Sequence, residues 1–341
     1  MSSLKSILVT GGAGYVGSVL VKKLVEQNFD VTVIDSLIYG KDGISEFLDR
    51  NQINLLAFDL RETDKIEKSL KNIDCVIHLA AIVGEPLCKK IPTAAEQINE
   101  FVTKTLALLC KKNNVKRFIF ASTCSNYGTS SEIVDENSPT QPLSLYSKTK
   151  VNSEKFILNL KNDSFEPCVF RFATAYGLSP RMRFDLLVQE FIRDAVVDNK
   201  ISIFGADFWR PFIHVEDMAS ACVSAINANS DVISGEIFNV GNEKENYTKI
   251  KLANIVQKFL PSTKIEIIES KNDLRSYQVS FEKIKNNLNF LPKHSIQNTV
   301  AEIVEKIHQN KINPKDSEFS NISRLTENVK TFENYHFDES L

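Results

Sequence analysis

The sequence predicts an α/β protein in which a doubly wound parallel sheet carries a smaller second lobe. Two observations predict it. Through the first 240 residues, short β-branched runs alternate with longer helical patterns, and the runs are apolar on both faces, as strands covered by helices on both sides must be. A glycine-rich turn, Thr10-Gly11-Gly12-Ala13-Gly14-Tyr15-Val16-Gly17, follows the first run directly and opens an amphipathic helix carrying Val19, Leu20, Leu24 and Val25.

In chain order the strand candidates are residues 6–10, 31–35, 54–58, 74–80, 117–122, 168–172 and 237–240, with helices over 15–28, 62–71, 93–113 and 144–161. Beyond Gly177 the rhythm changes to two insert-like stretches, 178–211 and roughly 243–292, rich in Arg, Lys, Asn and aromatics. The expected division is therefore 1–177 with 212–242 for the first domain, 178–211 with 243–310 for the second lobe, and 311–341 as a polar tail that wraps the surface or is partly disordered. At 341 residues the chain exceeds what one typical core supports, and two lobes imply a cleft.

Charge and composition narrow the partners. With 41 basic and 43 acidic residues, the net charge of −2 gives no global reason to bind nucleic acid or an anionic membrane, although a local basic cluster could hold a small polyanion. The N-terminus runs straight into the first strand without a signal-peptide pattern, and no stretch approaches the ~20 apolar residues of a membrane span. The six cysteines, Cys75, Cys88, Cys110, Cys124, Cys168 and Cys222, form no C-x-x-C pair and read as reduced, mostly core thiols of a soluble cytoplasmic protein. No His, Cys and carboxylate spacing suggests a metal site.

The glycine turn lets backbone N–H groups approach a pyrophosphate while the positive end of the next helix faces it. Asp35 ends the second strand, 18 residues after Gly17, where a carboxylate accepts both ribose hydroxyls and repels a 2′-phosphate. Ser36, Leu37 and Ile38 offer no arginine for that phosphate, so NAD is favoured over NADP. Asp59-Leu60 is placed beside the adenine, and His78-Leu79-Ala80-Ala81 presents small residues where a cofactor must pass, with His78 itself packed.

Tyr146 and Lys150 stand four apart at the start of a helix that follows Pro139 and Pro142, and so share one face. An ordinary surface pair looks the same; with the glycine turn upstream the pattern becomes specific. A tyrosine that removes a hydroxyl proton near neutrality must come down from ~10, at roughly 4 kcal/mol. The Lys150 ammonium can do this, aided by a positive nicotinamide whose ribose it would also bond. Thr123, in Ser122-Thr123-Cys124-Ser125-Asn126-Tyr127-Gly128, is placed to share the substrate's proton network, or simply ends its strand bonded to backbone.

These residues together resemble an extended short-chain dehydrogenase/reductase of the NAD-dependent epimerase/dehydratase family, of the UDP-galactose 4-epimerase type. The likeness runs from about residue 4 to 310 through the glycine turn, Asp35, Asp59-Leu60, the His78–Ala81 run, Asn99, the Thr123 segment, Tyr146/Lys150 and Arg171-Phe172-Ala173-Thr174. It implies a Rossmann domain, with Thr123, Tyr146 and Lys150 catalytic. It implies also that Gly11, Gly14, Tyr15, Val16, Gly17, Asp35, Asp59, Leu60, Leu79, Ala80, Ala81, Asn99, Phe172, Ala173 and Thr174 line the cofactor and sugar sites. Arg181, Arg183, Arg210 and Arg275 suit the diphosphate, since guanidinium forks match phosphate, and Arg210 lies in the stretch whose arginine contacts diphosphate in the family. A narrower likeness, over 81–89 and 170–183, is to bacterial enzymes of surface-polysaccharide pathways, GDP-heptose 4-dehydrogenases among them.

Departures from the family bear on the reaction. Its 4,6-dehydratases carry Asp-Glu directly after the Thr, where this chain has Cys124-Ser125. Its 3,5-epimerase types place a Cys two positions after the Ser or Thr, whereas Cys124 is one position after, either an acid/base thiol or a small packing residue. Chemistry at one carbon, C4, remains: a 4-epimerase first, a 4-dehydrogenase or 4-ketoreductase next. A redox enzyme for a non-sugar alcohol and a non-catalytic dinucleotide sensor are the rival classes. A homodimer is expected through the helices holding Asn99 and Tyr146, whose outward faces would include Leu106, Leu109, Phe156 and Leu160 unless these face the sheet.

Overall fold

In the computed structural model, which describes residues 4–269, 275–327 and 333, the seven expected strands pair side by side in one parallel sheet. They are β1 (Ser6–Thr10), β2 (Asp30–Asp35), β3 (Ile53–Ala57), β4 (Cys75–His78), β5 (Arg117–Thr123), β6 (Glu166–Phe172) and β7 (Glu236–Val240), in spatial order β7-β6-β5-β4-β1-β2-β3. The order reverses between β1 and β4, and a crevice opens there beyond the strands' carboxyl ends. The chain is therefore a doubly wound sheet.

The sheet is covered on both faces. One face packs Ile7, Val9, Ile77 and Phe170 against the helices Tyr15–Glu26 and Val215–Asn227, and the other packs Leu8, Val76, Phe118 and Phe120 against the helix Thr103–Lys112. Alternate residues of one strand thus go to opposite cores, which is why these strands read as continuous apolar runs. All six cysteines are buried and unbonded to one another.

A second core gathers Phe184, Val188, Ile192, Phe212, Leu252 and Ile303 from segments far apart in sequence. A small three-stranded sheet joins it to the first: Trp209–His214 pairs with Thr174–Tyr176 on one side and Asn246–Thr248 on the other. The structure differs from the expected division at one place. The strand Ser276–Val279 and the helix Glu282–Leu288, assigned above to the second lobe, pack Tyr277, Val279, Phe281 and Ile284 into the first core. Phe281 covers Gly241, where even a Cβ would strike its ring. The polar sequence around these four residues hid a return to the first core.

Of the expected tail, residues 311–327 pack on the rest of the chain: Ile312 and Phe319 on the second core, and Leu325 fully buried elsewhere. Residues 1–3, 270–274 of the expected second lobe and 328–332 and 334–341 of the expected tail lie outside the described residues. No described helix is long and apolar enough to cross a membrane.

Candidate active site

A cavity of about 500 Å³ opens at the reversal of strand order, between the sheet and the second core. Its floor at the β1 end is backbone. Gly11, at φ +72, lies against the Ala80 backbone, and a Cβ on Gly17 would overlap the Gly11 carbonyl oxygen and the Gly12 backbone. The helix Tyr15–Glu26 starts at Gly14 with no side chain capping it, so its first N–H groups stay open toward the cavity. An uncapped helix end behind a cradle that no side chain fills suits a pyrophosphate. Asp35 lines the same cavity while its two oxygens accept from the Leu37 N–H at 2.8 Å and the Ala13 N–H at 3.0 Å. These bonds fix the carboxylate where a ribose diol could donate to its remaining lone pairs, so the residues present fit a dinucleotide.

The other wall carries the reactive side chains. Ser144 and Ser147 form a reciprocal capping box, each hydroxyl accepting the other's backbone N–H at 3.1 Å. This starts the helix Leu145–Asn159 so that Tyr146 and Lys150, one turn apart, both line the cavity. Lys150 is 1% exposed, donates to the Ala121 carbonyl at 2.8 Å and lies over the Phe120 ring, and burial pushes it down to about 8. Tyr146 is pushed above its ordinary value, chiefly by burial and then by Cys88, with Arg183 and Arg275 pulling the other way. In the polypeptide, then, the guanidiniums of the second lobe oppose the shift. The expectation gave that work to Lys150, whose ammonium sits 5.8 Å from the centre of the Tyr146 ring.

Thr123 lines the cavity at the end of β5 and also caps the short turn Cys124–Tyr127, accepting the Ser125 N–H at 3.1 Å and meeting the Ser125 hydroxyl at 2.9 Å. Behind it Glu154 accepts from Ser122, from Asn126 at 2.8 Å and from Arg171 at 2.7 Å, a buried and charge-balanced support for the segment. Cys124 is a correction to the acid/base alternative. It is 1% exposed, lines no part of the cavity, and turns its thiol to the Arg171 carbonyl at 3.0 Å. Burial holds that thiol well above its ordinary value. Thr123 ends β5 facing the cavity, and the turn that begins at Cys124 carries the thiol away from it.

Asn99 is a second correction. It is fully buried and does not line the cavity; its amide accepts the Ile82 N–H at 2.8 Å and donates to the Ile82 carbonyl at 2.9 Å. It sits in a π-helical stretch, Gln97–Val102, and staples the loop after β4 whose Leu79, Ala80 and Ala81 do line the cavity. His78 is likewise buried, between Thr10 at 2.6 Å and Thr103 at 2.9 Å, and burial pushes it down to about 3. Leu106 is fully buried on the sheet side, and Leu109 and Leu160 pack partly buried against the same core, which is the second of the two alternatives given above; Phe101 and Leu108 are exposed.

The other expected cofactor residues, Gly11, Gly14, Tyr15, Val16, Asp59, Leu60, Phe172 and Ala173, lie in the cavity wall, as does Thr174. Arg181, Arg183, Arg210 and Arg275 reach it from the second lobe. Arg181 stacks over Tyr39 at 4.7 Å, and burial together with neighbouring Arg183 pushes it down to about 10, so the two cations share a confined space that an anion would relieve. Among the wall residues that sequence reasoning missed are Tyr39, Glu85, Ser125, Tyr277 and Asn321. Ser125 could have been found, two residues from Thr123. Tyr39 lies in a loop, and Glu85, Tyr277 and Asn321 lie in short elements whose direction only the fold reveals.

Comparison with known proteins places this geometry. The model of the NAD dependent epimerase/dehydratase family matches residues 7–241. A UDP-glucose 4-epimerase of Halalkalibacterium halodurans is 31% identical over 320 residues, covering 87% of this chain and 93% of that one; one of Lactobacillus helveticus is 28% identical, covering 92% and 99%. Among solved structures, UDP-glucose 4-epimerase from Thermotoga maritima with UDP-glucose superposes with a TM-score of 0.80 at 26% identity, covering 90% of this chain and all of that one. UDP-glucuronic acid 4-epimerase from Bacillus cereus, with UDP-glucuronic acid and NAD, gives 0.78 at 26%, covering 89% and 99%.

Proposed function

Because the chain belongs to the NAD dependent epimerase/dehydratase family, and is thereby an enzyme whose cofactor is NAD, we propose that it acts on a nucleotide-diphosphate sugar at C4 through a 4-keto sugar, as a 4-epimerase. The observation that carries this reading is the Thr123 segment. Thr123, Tyr146 and Lys150 line one cavity, whereas the position after Thr123 holds a thiol turned away from it and then a serine. Nothing in that segment supplies the carboxylate pair that removal of water needs, so the chemistry reads as oxidation and reduction at a single carbon.

NAD, when bound, supplies the hydride acceptor and donor. Tyr146 takes the C4 hydroxyl proton and later returns it. Thr123 and Ser125 hold the same oxygen by hydrogen bonds, and Lys150 holds positive charge near the phenol. The arginines of the second lobe hold the diphosphate, leaving the sugar free to turn about that anchor. Turning before the hydride returns inverts C4; release of the ketose would make the enzyme a 4-dehydrogenase. The narrower sequence likeness suggests that the product feeds surface-polysaccharide synthesis in the cytoplasm, and the exposed Phe101 and Leu108 suit the contact of a homodimer.

The test is incubation with UDP-, GDP- and dTDP-sugars, read by mass spectrometry and absorbance, wild type against Tyr146→Phe. An isomer of unchanged mass without net NADH supports the 4-epimerase; loss of two hydrogens with NADH absorbance supports the 4-dehydrogenase. Tyr146→Phe should lower turnover by roughly 10²–10⁴-fold with NAD still bound. Equal behaviour of the two proteins would remove Tyr146 from the mechanism.

A further inference from the structure

Among the described residues, five buried side-chain oxygens have no hydrogen-bond partner, those of Glu85, Asn126, Gln189, Thr263 and Asn321. Such atoms are costly unless something else satisfies them. Only Glu85 and Asn321 of the five also line the cavity, and Asn321 is the more enclosed, at 6% exposure. It comes from the C-terminal segment, outside the residues that the family model matches.

The path of that segment says what Asn321 faces. Phe319 packs on Phe184 and accepts the Phe184 N–H at 2.8 Å. The Asn321 N–H then donates at 3.0 Å to Asp185, whose other oxygen accepts from Arg183 at 2.8 Å. Four residues on, Leu325 is fully buried in the apolar cluster of Ile82, Leu87 and Ile91, against which Tyr146 also packs. Spacing of i and i+4 puts Asn321 and Leu325 on one helical face. The segment is a strap, tied to the arginines at one end and to the neighbourhood of the reactive tyrosine at the other.

We propose that Asn321 is a specificity-determining residue that contacts the substrate, its amide oxygen, enclosed and unpaired in the polypeptide alone, turning to accept a hydroxyl of the sugar. This rests on the nucleotide-sugar reading above. Between a diphosphate held by arginines and a carbon held at Tyr146 lies the sugar ring. An acceptor oxygen needs a donor, which a diphosphate lacks and a sugar hydroxyl supplies.

The experiment uses the full-length, NAD-loaded protein and measures affinity for a panel of UDP-, GDP- and dTDP-hexoses and for the matching bare nucleoside diphosphates. Asn321→Ala should weaken the nucleotide sugar that binds by roughly tenfold and leave the bare diphosphate unchanged. Asn321→Ser, which restores an acceptor, should recover part of the loss. NAD content and melting temperature should match the wild type, which a merely structural role for the amide would not allow. Equal affinity of wild type and Asn321→Ala for the sugar overturns the proposal, as does an equal loss for the bare diphosphate. If the wild type binds no sugar of the panel, the nucleotide-sugar reading itself fails, and this inference with it.

Discussion

The two ends of the cavity are built in different ways. The end at β1 and β2 is made of contiguous backbone, in which Gly11, Gly14 and Gly17 form one turn and Asp35 ends the next strand. The end toward the second core is made of side chains that meet only after folding: Arg183 and Arg210 are separated by a helix and a strand, and Asn321 arrives from the far end of the chain. A cofactor common to many enzymes can be bound by a local motif. A substrate peculiar to one enzyme is bound by whatever the fold brings together.

The sharpest way to break that contrast is Gly17→Ala. The added methyl would overlap the Gly11 carbonyl and the Gly12 Cα, backbone atoms that cannot swing aside. NAD affinity should fall by about a hundredfold or more, a loss of roughly 3 kcal/mol, readable by calorimetry. A fall of less than about threefold would mean that the turn has slack and that the cofactor end tolerates change as a side-chain site does.

Arg210→Ala probes the other end. Arg210 is 5% exposed, donates to the Trp209 carbonyl at 2.8 Å and to that of Arg275, and faces Tyr277. Its removal should raise KM for the nucleotide sugar by roughly 10–100-fold with NAD affinity unchanged, since the loss is of substrate binding. Initial rates over a substrate range check it. If NAD affinity falls as far as KM rises, the two ends are not separable.

This contrast also explains what was legible in the sequence. The inner strands of the sheet could be read because they are apolar runs buried on both faces, the edge strand β3 because its Ile53, Leu55 and Leu56 fall in the same alternation, and the glycine turn because its spacing is set by backbone geometry. The return of Tyr277, Val279 and Phe281 to the first core was not legible, because three apolar residues in a polar stretch have no period long enough to place them. Asn99 was read as lining the cavity because a motif records that a residue recurs, not whether it touches the ligand or holds the loop that does. Asn321 carries no sequence signal at all; its position depends on a strap whose course is set by Phe319 and Leu325.

Lys150 bears on both turnover and stability, and pH separates the two. Burial pushes it down to about 8, so the ammonium present at neutrality is lost as pH rises through 8. Turnover should fall by about tenfold between pH 7 and 9 in the wild type if the positive charge that Lys150 holds 5.8 Å from the Tyr146 ring centre takes part in the proton transfer. Stability should move the other way. In the unfolded chain a lysine keeps its proton to ~10.4, so between about 8 and 10.4 the unfolded state binds more protons and this group's contribution to folding rises with pH. Melting temperatures of wild type and Lys150→Met over that window isolate the contribution, and parallel pH dependences would contradict the burial argument.

The smallest effect should come from Cys124→Ala, and it decides the most about the reaction. Cys124 is adjacent to Thr123 in sequence, but the turn that it opens after β5 sends its thiol into the core, against the Arg171 carbonyl. If that placement governs its role, the variant should keep kcat/KM within about twofold and lose roughly 1–2 kcal/mol of stability from the vacated volume and the lost hydrogen bond. A variant that melts like the wild type and binds NAD but has lost turnover would mean that the thiol reaches the sugar during the reaction. The chemistry would then extend to a second carbon, and the single-carbon reading would give way to one in which Cys124 moves a proton at C5.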